Sequence, residues 1–218
     1  MPKLYLLGGE NTIKQSAKEI NQTAFRDASG SPSVLVFPWA RASFDNIYTR
    51  KRRLSKYFKN LGAKSVHFAD YSEPLEEIAE RMLQSRLIYL TGGQLTILFS
   101  RLITKGVDDL LRKYDGVIIG RSAGALVLAK QGVVTNRYSK ATKLAPGLGL
   151  ADLCLKTHYE PSKDSTLRRL SKTQSIYAVP INSAILYDNG DLSFVGEVFL
   201  FEDGYKKKVE SNIVSKLS

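Results

Sequence analysis

Ser122 stands in Gly120-Arg121-Ser122-Ala123-Gly124, a Gly-x-Ser-x-Gly stretch whose residue types and spacing suit a nucleophile. It follows the apolar run Gly116-Val117-Ile118-Ile119 and leads into Ala125-Leu126-Val127-Leu128-Ala129, which reads as the start of a helix. Strand, sharp turn and helix in that order form a nucleophile elbow. The glycines permit the turn, and the first N–H groups of the helix point at the space into which the serine oxygen projects. The alternative is a tight strand-to-helix turn that merely contains serine. A serine oxygen is a poor nucleophile unless a base removes its proton during attack, and the chain has only two histidines. His67 lies mid-strand in Ser65-Val66-His67-Phe68-Ala69. His158 ends the run Leu153–Thr157 and opens the irregular Tyr159-Glu160-Pro161-Ser162. Functional groups of open α/β sheets gather beyond the carboxyl ends of strands, so His158 is the expected base. For an oxyanion, the N–H of Ala123 is the expected first donor. The turn Gly92-Gly93 after Leu87–Thr91 offers a second, and Gly8-Gly9 after the first strand has the same form.

Bringing these groups to one edge requires a sheet, and the chain is patterned for one. Short apolar runs at 3–7, 33–38, 64–69, 86–91 and 116–120 predict strands, with helices between them at about 12–28, 44–60, 73–84 and 95–113. The expected fold is α/β, a mostly parallel sheet with helices on both faces. Runs such as Val34-Leu35-Val36-Phe37 are apolar throughout, as strands covered on both sides must be. Beyond the elbow, Val133-Val134-Thr135 and Leu153–Thr157 read as strands and 162–172 as a short helix. Ile176–Tyr187 and Leu192–Phe201 read as two strands about Asp188-Asn189-Gly190-Asp191, an antiparallel C-terminal hairpin. With no linker, repeat or break in composition, a single domain over 1–218 is expected.

Composition narrows the class. In 218 residues, 43% hydrophobic and 24% charged content is that of a globular domain. No apolar run approaches the roughly 20 residues that cross a bilayer. Met1-Pro2-Lys3 runs straight into Leu4-Tyr5-Leu6-Leu7, a strand rather than a signal-peptide core. One cysteine, Cys154, allows neither an intrachain disulfide nor a cysteine-based metal site, so a cytoplasmic protein without a metal or other cofactor is expected. Membrane is not an expected partner. The net charge of +11 favours anionic partners. Arg50-Lys51-Arg52-Arg53, Lys56 and Lys59 interleave with Tyr48, Leu54, Tyr57, Phe58 and Leu61 at helical spacing. This pattern reads as a helix with a solvated basic face in preference to a nucleic-acid patch. Lys206-Lys207-Lys208 is read in the same way. A homodimer is left open.

Taken together, these motifs resemble peptidase family S51, the serine peptidases that include dipeptidase E and cyanophycinase. The Gly-Gly turn is similar to Tyr89-Leu90-Thr91-Gly92-Gly93-Gln94, and the nucleophile motif to Gly120-Arg121-Ser122-Ala123-Gly124-Ala125. The histidine followed by an aromatic residue is matched by His158-Tyr159 and the arginine–leucine element by Leu167-Arg168-Arg169-Leu170. The tail Pro180-Ile181-Asn182-Ser183-Ala184-Ile185 resembles the segment that follows. The resemblance implies a class I glutamine-amidotransferase-like fold, Ser122 as nucleophile and His158 as base. It further implies oxyanion donors at Gly92, Gly93 and Ala123, and a small peptide as substrate, cleaved through an acyl-enzyme.

The resemblance breaks at the acid that should orient the histidine. The positions where family members carry one hold Arg137 and Ile181. Glu160 is the nearest replacement in sequence, Asp152 and Asp188 are further ones, and Asn182 could orient the ring without charge. Glu160 would share a face with His158 only in an extended stretch. The chain is then a Ser–His dyad enzyme, a triad with a relocated acid, or a weak or inactive relative that binds without cleaving. Arg121 and Arg137, with Arg168 and Arg169, suit an acidic side chain or a peptide carboxylate. A nucleic-acid-associated protein using the basic helix is the remaining alternative.

Overall fold

The computed structural model describes residues 1–41, 48–135 and 141–210. Its main sheet is built from β1 (Lys3–Leu7), β2 (Ser33–Phe37), β3 (Ser65–Phe68), β4 (Leu87–Leu90) and β5 (Val117–Arg121). It also takes in β10 (Ala184–Asp188) and β11 (Asp191–Val195), in the order β11-β10-β1-β5-β4-β2-β3. The first five strands run parallel, and β10 and β11 add an antiparallel hairpin beside β1. This is the expected α/β architecture.

Alternation along each strand explains its two-sided burial. Tyr5, Leu7, Val34, Val36, Tyr89 and Ile119 face one layer, which holds α1 (Lys18–Asp27) and α2 (Tyr48–Asn60). Leu4, Leu6, Leu35, Phe37, Ile88 and Ile118 face the other. That second layer contains α3 (Leu75–Gln84), α4 (Leu95–Lys105), α5 (Val107–Lys113) and α6 (Ala123–Leu128). The expected helix at 95–113 is two helices, because Gly106 takes a left-handed φ of +75° that closes α4 and redirects the chain. The expected helix at 12–28 begins at Lys18, and 12–17 is a run of turns. Residues 44–47 of the helix expected at 44–60 lie outside the described residues.

A second sheet, not foreseen as such, packs beyond α6. Its order is β13-β12-β9-β8-β6-β7, with β6 (Ala129–Thr135), β7 (Thr142–Pro146), β8 (Ala151–Thr157), β9 (Ile176–Val179), β12 (Val198–Glu202) and β13 (Tyr205–Val209). A short helix, α7 (Asp164–Leu170), lies between β8 and β9 in the chain. The run expected as one strand over Ile176–Tyr187 divides at Pro180–Ser183. Its first half joins the second sheet and its second half the main one. Leu192–Phe201 divides likewise at Gly196, whose φ is +73°. Both divisions carry the chain across the gap between sheets, a step that apolar content along one strand does not encode.

Every residue of α6 is buried because the helix is enclosed by both sheets. An amphipathic stripe would be wrong there, and Ala-Gly-Ala-Leu-Val-Leu has none. Burying each of Leu126, Val127 and Leu128 stabilises the fold by roughly 1.5–3 kcal/mol. The elbow helix thus fixes the distance between the sheet that carries Ser122 and the sheet that carries His158.

Candidate active site

Ser122 joins β5 to α6 with φ +54° and ψ −108°, outside the regions that side-chain-bearing residues favour. Its surroundings impose that conformation. The Ser122 N–H donates to the Leu7 carbonyl at 3.0 Å, and the Ser122 carbonyl accepts the Leu126 N–H at 2.9 Å. The elbow also needs its second glycine, since a Cβ on Gly124 would lie 2.2 Å from the Leu90 carbonyl oxygen.

His158 follows β8 and is also left-handed, at φ +50°. Its N–H donates to the Gly8 carbonyl at 2.9 Å, and the next N–H, of Tyr159, donates to Val179 at 3.1 Å. The ring lies on Gly9, where a Cβ would stand 2.6 Å from Cε1 and 2.9 Å from Nδ1. So placed, His158 Nε2 is 2.7 Å from Ser122 Oγ. If the hydroxyl donates to Nε2, the neutral ring carries its proton on Nδ1. Partial burial, then the positive charges of Lys156 and Arg121, hold the imidazole below its ordinary pKa. A neutral ring is the form that can accept a proton.

Nothing acidic stands behind that ring among the described residues: no hydrogen bond to Nδ1 is found there. Glu160 is exposed and accepts the Ser162 hydroxyl at 2.7 Å. The left-handed turn at His158 breaks the extended alternation that would have set both side chains on one face. Asp152 pairs with Lys130 at 2.8 Å, and Asp188 lies 3.8 Å from Lys3. Asn182 accepts the Ser16 hydroxyl at 2.5 Å, Ile181 is exposed, and Arg137 lies outside the described residues. His67 is on β3, the outer edge of the main sheet, with β2 and β4 between it and β5.

Facing the serine, the Gly92 Cα lies so close that a Cβ would meet Ser122 Cβ at 3.3 Å. On Gly93 a Cβ would meet the Ala40 carbonyl oxygen at 2.2 Å, so the turn admits no side chain there. Among the described residues the N–H groups of Gly92, Gly93 and Ala123 have no backbone acceptor.

Three features escaped the sequence reading. The helix read as having a solvated basic face is only partly so. Arg52 and Arg53 are exposed, but Arg50 and Lys51, with Arg41, Phe68, Gly92 and Arg121, line a cavity of about 60 Å³ beside the elbow. Among the described residues the buried Nε of Arg121 has no hydrogen-bond partner. Arg168, by contrast, donates to the Gly204 carbonyl at 3.1 Å and Arg169 is exposed. The second feature is Glu10, which accepts Tyr89 at 2.7 Å, Tyr57 at 3.0 Å and Asn21 at 3.1 Å. It ties the Gly8-Gly9 turn to α1, α2 and β4. Burial pushes both tyrosines well above their ordinary pKa, so both stay neutral donors. A Glu directly after a Gly-Gly strand end was the available signal. The third, Lys156, is 7% exposed and bonded to Thr135 Oγ1 at 3.3 Å. Its place two residues before His158 in a strand was the signal there.

The sequence pattern of peptidase family S51 matches residues 4–195. The chain belongs to peptidase family S51. This S51 chain is 27% identical over 139 residues to "Uncharacterized peptidase Lin0382" of Listeria innocua, a match covering 59% of the chain and 66% of that relative's length. The fold is that of a peptidase from an acI-B1 Actinobacterium, with TM-score 0.75 and 19% identity over 97% of this chain and 95% of the other. It is also that of the "Putative Peptidase E Protein" of Listeria monocytogenes EGD-e, with TM-score 0.67 and 23% identity over 89% and 98% of the two chains. Peptidase chemistry is the function these likenesses support. Among the described residues no helix is long and apolar enough to cross a membrane.

Proposed function

We propose that the protein is a serine-type dipeptidase of the cytoplasm, working with a Ser122–His158 dyad. The observation that carries this reading is the 2.7 Å contact between Ser122 Oγ and His158 Nε2 at a strained elbow. Ser122 Oγ attacks the scissile carbonyl as its proton passes to His158. The oxyanion receives the N–H groups of Gly92 or Gly93 and Ala123. The protonated imidazole then gives its proton to the departing amine, and water hydrolyses the acyl-enzyme by the same route. The cations beside Gly92 favour a substrate with an acidic side chain at the cleaved bond, Arg121 being the group nearest the nucleophile in sequence. The proposed partner is a small peptide.

The second reading, an S51-like binding protein with little catalysis, is favoured by the lack of an acceptor on His158 Nδ1 among the described residues. A panel of dipeptides beginning with Asp or Glu separates the two when run on the wild type and on Ser122→Ala. Hydrolysis that falls by about 10⁴-fold or more in Ser122→Ala supports the enzyme. Unchanged hydrolysis in Ser122→Ala sinks the mechanism, and binding without cleavage by either protein supports the second reading.

A further inference from the structure

We propose that Tyr159, Asp164 and Lys206 form an anchor that positions His158, doing by constraint what a triad acid does by hydrogen bond. The proposal rests on the Ser122–His158 dyad read above. A left-handed histidine needs restraint on both sides, because L residues gain little from that backbone well. On the N-terminal side the restraint is the Gly8 carbonyl, bonded to the His158 N–H at 2.9 Å. On the C-terminal side it is Tyr159, the adjacent residue, which is 6% exposed.

Tyr159 is held in a way its neighbours along the chain are not. Its ring packs on Phe199 and Phe201 of β12, with centroids 5.1 and 5.8 Å away. Its hydroxyl donates to Asp164 Oδ1 at 2.5 Å, and Lys206 of β13 reaches Asp164 Oδ2 at 3.0 Å. The same ammonium stands 4.5 Å from the Phe199 ring centroid, 5.2 Å from that of Tyr159 and 5.9 Å from that of Phe201. One lysine thus closes an ion pair and sits among three rings, one of them that of the residue next to the base. The charges acting on His158 itself are those of Lys156 and Arg121. Asp164 therefore acts through backbone position, as a positioning residue, and its carboxylate is spent on Tyr159 and Lys206.

The test is the rate at which a fluorophosphonate labels Ser122, followed across pH in wild type, Tyr159→Phe, Asp164→Ala, Asp164→Asn and Ser122→Ala. Tyr159→Phe keeps the ring and its packing, so it folds, and it should slow labelling about tenfold. Asp164→Ala should slow it up to about 100-fold, the scale of a misplaced reacting group. Asp164→Asn should recover part of the loss, since its amide oxygen still accepts the tyrosine hydroxyl. The midpoint of the acid limb should stay at its wild-type pH in all three. A simple loss of folded protein lowers the labelled amplitude and leaves the rate constant alone. Wild-type rates in Tyr159→Phe and Asp164→Ala would overturn the anchor. So would an acid limb displaced to lower pH in Asp164→Ala, which would make Asp164 an electrostatic acid. No labelling of Ser122 in the wild type would overturn the dyad itself, and the anchor with it.

Discussion

Ser122 is fixed by groups one turn or one strand away, whereas His158 is fixed by groups scattered from Gly8 to Lys206. On the nucleophile side, β5, α6 and the Gly92-Gly93 turn are neighbouring parts of a parallel sheet, and close backbone packing sets every position. On the base side, β8 belongs to the second sheet, the ring rests on a turn from the main one, and Tyr159 is pinned by β12, β13 and α7. The difference teaches that a strained elbow can be specified locally, but its partner needs two sheets in register. Local parts tolerate few substitutions at the glycines. Long-range parts leave more freedom in which residue supplies the support, and among the described residues no acid is bonded to the base.

Glycine substitutions should break this comparison most sharply. Gly93→Ala forces a Cβ to 2.2 Å from the rigid Ala40 carbonyl. Its cost should be about 1–3 kcal/mol in chemical denaturation, with peptide hydrolysis slowed about 100-fold as the oxyanion turn shifts. Gly9→Ala instead drives a Cβ to 2.6 Å from the His158 ring, which can swing aside. It should slow hydrolysis on a similar scale, about 100-fold, and its stability cost comes from the backbone, since Gly9 sits at φ +152°, where an alanine is strained. Wild-type hydrolysis in Gly9→Ala would contradict the role of that turn in seating the His158 ring.

Lys156→Met sharpens the base side alone. A depressed imidazole pKa keeps His158 neutral further into acid, so activity is lost only as pH falls through that lowered value. Removing a neighbouring positive charge should move the acid limb of kcat/KM upward, toward the ordinary histidine range. A limb that stays put or moves down would take Lys156 out of the account. The smallest effect belongs to Glu160→Gln. With its carboxylate on Ser162 and none of its oxygens bonded to His158, the variant should keep wild-type kcat/KM and the wild-type acid limb. A clear loss would restore Glu160 as the acid.

Legibility in the sequence followed the range of the interactions. The elbow could be read because strand, turn and helix are contiguous, although the contact that demands Gly124, with the Leu90 carbonyl, comes from β4. The Gly92-Gly93 turn could be read because it too joins a strand directly to a helix, β4 to α4. His158 was found by elimination between two histidines, with its strand-end position as the physical argument. The support beneath it could not be found that way. Tyr159 looked like the aromatic neighbour of a histidine, Asp164 like one residue of a short helix over 162–172, and Lys206 like one of three lysines on a basic tail. Arg50 and Lys51 looked like the rest of a charged helix, until packing turned that part of α2 toward the elbow.

The sequence by itself determined the parallel sheet, the order of its strands and helices along the chain, and the strand–turn–helix that presents Ser122. Those are consequences of periodicity and turn chemistry, which act over a few residues. Only the tertiary structure decided that Ile176–Tyr187 serves two sheets, and that Glu160 turns to Ser162 while Ser122 and His158 meet at 2.7 Å. The physical reason is that a hydrogen bond between residues 36 apart depends on how two sheets pack across a buried helix, and no local pattern records that distance.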